Sequence, residues 1–352
     1  MHNNIIIKRI LKLILFAAIA VLLTFFLDMA FELPESDSEI MLINYSRAKD
    51  IDTVLIGSSV GKAIMPEVYR KIAGDNAVNM CTSAQSFGTS YKNLKLAASQ
   101  HKIKHAVLLM TFDSLDDSDT TAIDHLYDRT INSAGSAGDV IVNTLNYNIT
   151  KEKQPGILSR EESINLWIPW VNETSHGFKQ IDNNITSRFM RLLSGNSLGC
   201  AFGEDFTTPK YNLIEKSPSE DDMQIFKSDL DEASAISASQ ITINPEKLEI
   251  LNDIIRFCSD NSIKLGIVVT PHPASYYKRY ASFEENINSV DHFMNNFCRK
   301  RNIPYFNAEN DPELHKILPD SYFLDSEHIK DDYLPEASDY LSNIICTEVF
   351  RQ

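Results

Sequence analysis

The chain is poor in positive charge. Among 352 residues it sets 33 Lys and Arg against 48 Asp and Glu, a formal net charge of −15. So acidic a surface repels phosphate backbones and anionic headgroups, so nucleic acid is not an expected partner. Cysteine is sparse as well: Cys81, Cys200, Cys258, Cys298 and Cys346, an odd number at wide spacing. None forms a CxxC pair, and no Cys/His cluster has zinc spacing. Scattered buried thiols are the expectation, with a Cys258–Cys298 disulfide as the alternative outside a membrane. There is no P-loop, no GxGxxG and no HExxH, so no metal and no cofactor is expected. Internal repeats are absent too.

What remains is a globular composition, 43% hydrophobic and 23% charged, which is not that of a disordered chain. The exception is the N-terminus. Ile10 to Leu27 is an almost continuous apolar run with Lys12 its only charge. Extended back to Ile5, it reaches the length of about 20 residues that a bilayer core requires. Lys8, Arg9 and Lys12 stand at its start, and Asp28, Glu32 and Glu35 follow it. Positive charge on that side predicts the N-terminus inside and the rest exported, with the membrane as a partner. A cleaved signal peptide has the same pattern but needs a small-x-small site, and FLDMAFELPE offers a poor one. The expectation is a single-pass anchor over 5–27, a linker over 28–50 and one domain over 51–352.

Within that domain, apolar strands alternate with amphipathic helices. Strands are predicted at Asp52 to Gly57, Ala77 to Met80, Lys104 to Phe112, Lys264 to Thr270 and Ile303 to Phe306. Helices are predicted at Pro66 to Ala73, Ser90 to Gln100, Pro245 to Asp260, Phe283 to Arg301 and Tyr333 to Phe350. This alternation predicts an α/β fold, a three-layer sandwich around a central parallel sheet. About 116–240 breaks the pattern. It holds both tryptophans, Trp167 and Trp170, and reads as an insertion over the site. Its three Asn-x-Thr triplets, at Asn148, Asn172 and Asn184, are common by chance.

Two segments carry the chemistry. Gly57-Ser58-Ser59 ends the first buried strand, at the sheet edge where open α/β folds bind ligands. Taken alone it is equally a turn with a helix cap. Asp325-Ser326-Glu327-His328 precedes the last helix. An Asp three residues before a His can orient the ring and stabilise imidazolium. A third segment, Thr270-Pro271-His272-Pro273, ends the Lys264 strand, so His272 is a candidate to line the same pocket. Asp113, at the end of its own strand, has the same status.

The two blocks together resemble the SGNH (GDSL-type) hydrolase superfamily, whose flavodoxin-like fold has its nucleophile after the first strand and a C-terminal DxxH. Gly57-Ser58-Ser59 matches the first block and Asp325 to His328 the last. The resemblance covers roughly 50–115 and 242–350. It implies Ser59 as nucleophile, with Ser58 as the fallback, His328 as base and Asp325 as its orienting acid. It is similar to anchored members that transfer D-alanyl groups to teichoic acid or O-acetylate surface polysaccharides. That implies a cell-envelope polymer substrate and a membrane-bound acyltransferase as partner.

The chain departs from this pattern at the oxyanion blocks. Ala84 stands where the second block has Gly, and Phe112 where the third has Asn. The family's donor must then come from elsewhere, with Asn79, Thr82 and Gln85 the candidates beside the Ala84 backbone. The reading is an extracytoplasmic serine esterase or acyltransferase. Its alternatives are a catalytically silent accessory protein of the same fold and an adhesin-like surface domain.

Overall fold

The structure, a computed structural model, describes residues 2–31, 41, 44–45, 48–83, 85–116, 209–236, 242–279 and 284–351. By backbone contacts the chain divides into two units, residues 1–39 with 129–204, and 40–128 with 205–352.

In the first unit His2–Phe31 forms one 30-residue helix, α1. The membrane-spanning helix expected at 5–27 is not supported by it. Among the described residues no helix is long and apolar enough to cross a membrane. Lys8, Arg9 and Lys12 lie within α1, ahead of its uncharged apolar run.

The second unit is built on a five-stranded parallel sheet with order β2-β1-β3-β4-β5. β1 is Thr53–Gly57, and every residue in it is buried. A strand covered on both faces can be apolar along nearly all its length, as this one is beyond Thr53, whose hydroxyl donates to Asp75 Oδ2 at 3.4 Å. α2 (Pro66–Ala73) leads to the short edge strand β2 (Ala77–Asn79), and α3 (Phe87–Gln100) returns to β3 (His105–Met110). α4 (Glu220–Ile236) and α5 (Pro245–Asp260) precede β4 (Lys264–Val269). α6 (Ala274–Arg279) and α7 (Glu284–Lys300) lead to β5 (Tyr305–Asn307). A single turn, α8 (Leu314–Ile317), and α9 (Leu334–Ile344) complete the unit.

Alternate strand residues divide the core into two layers. Leu55, Val107, Leu109 and Val268 face one side, packed with Tyr69 of α2 and Ala337, Leu341 and Ile344 of α9. Val54, Ile56, Ala106 and Leu108 are the intervening residues, also buried, and α3 and α5 lie against the sheet with Leu94, Ala97, Leu248, Leu251 and Ile255 buried. α5 begins at Asn244, whose side chain accepts from Glu246 N at 2.8 Å and Lys247 N at 3.3 Å, and Pro245 occupies the first turn. The predicted bounds of α2 and α5 are reproduced. α9 is shorter than expected, because its end widens into a π-helical turn, Ile345–Val349. That turn seats Val349 against β4 at Gly266, where a Cβ would lie 2.2 Å from Val349 Cγ1.

The stretch beginning at 205 belongs to the sheet-bearing unit, and an ion cluster fastens α4 within it. Asp229 of α4 is fully buried and accepts from Lys300 Nζ at 2.7 Å and Arg301 Nη2 at 2.5 Å, tying α4 to the end of α7. The Cys258–Cys298 disulfide is not formed. Cys81, Cys258, Cys298 and Cys346 are free and buried, and burial pushes the Cys298 thiol up to about 12.

Candidate functional site

The strand order reverses between β1 and β3: the chain leaves β1 towards β2 on one side and returns to β3 on the other. Crevices at such reversals, beyond the strands' C-terminal ends, are where open α/β sheets place ligands. Ser59 is two residues past the end of β1, beside this crevice.

Gly57 makes the exit possible. Its φ is +143°, a value side chains disfavour, and an added Cβ would stand 2.0 Å from Leu109 O on the paired strand. Only glycine lets β1 turn away while still touching β3. Ser59–Ala63 then forms a short 3₁₀ turn, with Gly61 N donating to Ser58 O at 3.0 Å. Asn79, at the end of β2, ties that turn down. Its Nδ2 donates to Gly61 O and Ile64 O, each at 2.8 Å, and its Oδ1 accepts from Cys81 N at 3.0 Å.

The His328 loop is equally local in origin. Phe323 and Ile329 form an antiparallel bridge, Leu324 N donates to His328 O at 2.7 Å, and Lys330 N donates to Tyr322 O at 2.9 Å. Behind it, Tyr322 and Tyr333 stack with ring centres 3.8 Å apart. Inside the loop, Asp325 Oδ1 accepts the backbone N–H groups of Glu327 at 2.9 Å and His328 at 2.8 Å. The same carboxylate meets the ring, Oδ2 at 2.8 Å and Oδ1 at 3.0 Å from His328 Nδ1. Burial pushes the Asp325 carboxyl up, but the two backbone donors and the His328 ring outweigh it, so it lies below the usual carboxylate range. An ionised carboxylate can only accept, so Nδ1 carries the ring proton and Nε2 is left to accept. His328 Nε2 lies 2.7 Å from Ser59 Oγ. Ser59, His328 and Asp325 are thus a connected chain, although 269 positions separate the first two.

The chain opens on a cavity of about 420 Å³ lined, among the described residues, by Ser58 and Ser59, Gln85 and Ser86, Thr111 and Ser114, with Lys247 and Glu327 at its charged positions. Its walls are rich in hydroxyls. A larger cavity, about 800 Å³, opens at the N-terminal end of β4 beside Lys264 and Pro304 and includes none of the three. Among the described residues no group of three or more His, Cys, Asp or Glu could hold a metal ion.

The other candidates divide. Gln85 lines the cavity. Asn79 is not a donor to it, since both amide hydrogens are committed to the Ser59 turn. Ala84 lies outside the described residues. Asp113 falls in the 3₁₀ turn Phe112–Leu115, between the cavity residues Thr111 and Ser114. His272 is not a lining residue. It is 3% exposed, its Nδ1 is 2.6 Å from Glu309 Oε1, and its ring stacks on Tyr276 with centres 4.7 Å apart. The cause is the carboxylate arriving from the end of β5, which satisfies the imidazole within the core. Phe112 packs on that same ring at 5.3 Å. Lys247 and Ser114 escape sequence reasoning because they come from separate elements outside both blocks, and Glu327, inside the Asp325 to His328 block, shows its place on the cavity only in the fold.

No protein-family model matches the chain, and no curated protein matches it closely enough to count as a relative.

Proposed function

We propose that the protein is an extracytoplasmic serine esterase or acyltransferase, acting on an O-acyl group of a cell-envelope polysaccharide or related polymer. One observation carries this reading: Ser59 Oγ stands 2.7 Å from His328 Nε2, on a ring whose other nitrogen faces the Asp325 carboxylate. That is the distance and polarity an activated hydroxyl requires. Ser59 attacks the ester carbonyl as His328 Nε2 takes its proton. The tetrahedral intermediate collapses, the alcohol leaves with that proton, and the acyl group stays on Ser59. Water or a sugar hydroxyl, deprotonated by His328, then accepts the acyl group. Asp325 holds the ring in the productive tautomer throughout.

The envelope location rests on the apolar run at Ile10 to Leu27 with Lys8, Arg9 and Lys12 at its start, which fits an anchor with its N-terminus inside. Lys12 near one end can extend its ammonium towards the headgroups. A membrane-bound acyltransferase would supply the acyl group in the transfer version. The second reading, a silent accessory protein, is favoured by Phe112 at the family's Asn position. Fluorophosphonate labelling of the full chain in detergent separates the two. Ser59→Ala should abolish labelling and His328→Ala should reduce it sharply, with Ser58→Ala near wild type. An unlabelled but folded wild type would instead select the accessory reading.

A further inference from the structure

Gln85 lies between β2 and α3, immediately before Ser86, whose hydroxyl caps α3 by accepting from Thr89 N at 3.1 Å. It lines the same cavity as Ser59 and is 7% exposed. Its amide is held from both ends. Oε1 accepts from Thr82 Oγ1 at 2.9 Å and from Asn93 Nδ2 at 3.3 Å. Nε2 donates to Ser90 Oγ at 2.9 Å, and Ser90 also lines the cavity. Turning the amide over would set donor against donor at Asn93, so its orientation is fixed by its neighbours. Asn93 is fixed in turn, because its Nδ2 also donates to Met80 O at 3.0 Å.

The Gln85 nitrogen carries two hydrogens, and among the described residues one of them is used. Among the described residues the second has no acceptor, and a buried N–H without one is costly. On the cavity that Ser59 also lines, it offers a ready partner for a substrate oxygen. Two neighbouring side chains do not compete for that role: Asn79 has both amide hydrogens on backbone carbonyls, and the Phe112 ring carries no donor.

We infer that Gln85 is a catalytic residue of the Ser59 site, donating its second Nε2 hydrogen to the acyl carbonyl oxygen. This rests on the serine reading above. As Ser59 Oγ bonds to the carbonyl carbon, the hydroxyl proton passes to His328 Nε2 and the C=O π pair moves onto the oxygen. The Gln85 donor bonds most strongly to that negative oxygen. The pair returns when the ester C–O bond breaks and the alcohol leaves with the His328 proton. A donor fixed before the reaction needs no reorganisation during it, which makes it more effective than a mobile one.

The test uses the full chain in detergent, p-nitrophenyl acetate hydrolysis and fluorophosphonate labelling rates. Gln85→Glu keeps the acceptor for Thr82 and Asn93 and loses the donor. Gln85→Met keeps the length and carries the comparison should the first variant melt early. Either folded variant should lose about 10²–10³ in kcat with KM little changed, the scale for one oxyanion donor, and label more slowly in proportion. Folded variants with wild-type kcat, or a loss carried wholly by KM, would overturn the role of Gln85 alone. A wild type that neither labels nor hydrolyses would overturn the serine reading and this inference with it.

Discussion

Asp325 does two jobs with one carboxylate: it closes its own loop through two backbone N–H groups and it faces the His328 ring. Asp325→Asn should separate them. The amide oxygen can still accept from the backbone, but an amide N–H facing Nδ1 favours the wrong tautomer. Turnover on an ester should fall about 10⁴-fold, the scale for that change in a serine triad, while a thermal melt moves little. The pH dependence has a fixed sign. The folded carboxyl titrates below its ordinary value of 3.8, so its contribution is present above that value and is lost as pH falls through the lower, folded one. Urea midpoints measured from pH 6 down to pH 2 should show an acid-side decline in wild type that is smaller in Asp325→Asn. A steeper decline in the variant would contradict the assignment.

At the scale of elements, the nucleophile depends on how β1 ends. Gly57 combines a φ of +143° with a contact that would put a Cβ 2.0 Å from Leu109 O. Gly57→Ala should cost at least about 1–3 kcal/mol for the backbone conformation alone, and more for the clash with a strand that cannot move away. Urea denaturation measures it; an unchanged midpoint would mean that the β1–β3 edge is looser than described. Where the variant remains folded, Ser59 labelling should slow, because the turn that aims its hydroxyl starts from this residue.

At the scale of the whole molecule, the sheet-bearing unit is extended by α4, held through Asp229 to Lys300 and Arg301. Asp229 is fully buried, and Arg301 is 10% exposed against 33% for Lys300, so the Arg301 contact carries most of the weight. Asp229→Ala leaves a largely buried guanidinium without its carboxylate, and should cost about 3 kcal/mol, the low end for breaking a buried pair, because Lys300 keeps Glu232. Calorimetry should also show whether α4 melts with the sheet; a separate early transition would mean that α4 is an appendage. For the envelope proposal, the full chain should stay with membranes through an alkaline carbonate wash, and removal of residues 1–31 should release it. Release of the intact chain would remove the anchor from the proposal.

Much of this was legible in residue order, and the reason is locality. Burial on both faces makes β1 and β3 apolar after their first residues, Thr53 and His105, and the 3.6-residue period with an Asn-Pro start marks α5, so those elements are readable one at a time. Asp325 and His328 are three residues apart, within reach of one turn, so their pairing is local as well. Tertiary structure alone decided which distant groups met. His272 was read as a pocket residue because its strand ends at the right edge, yet Glu309, 37 positions away, drew it into the core. Asn79 was read as a donor to substrate, and its hydrogens went to the Ser59 turn. Sequence supplies each side chain's chemistry and local reach; the order of parallel strands, set by long crossovers, determines which polar groups are buried side by side and so which of them are left with a hydrogen to offer.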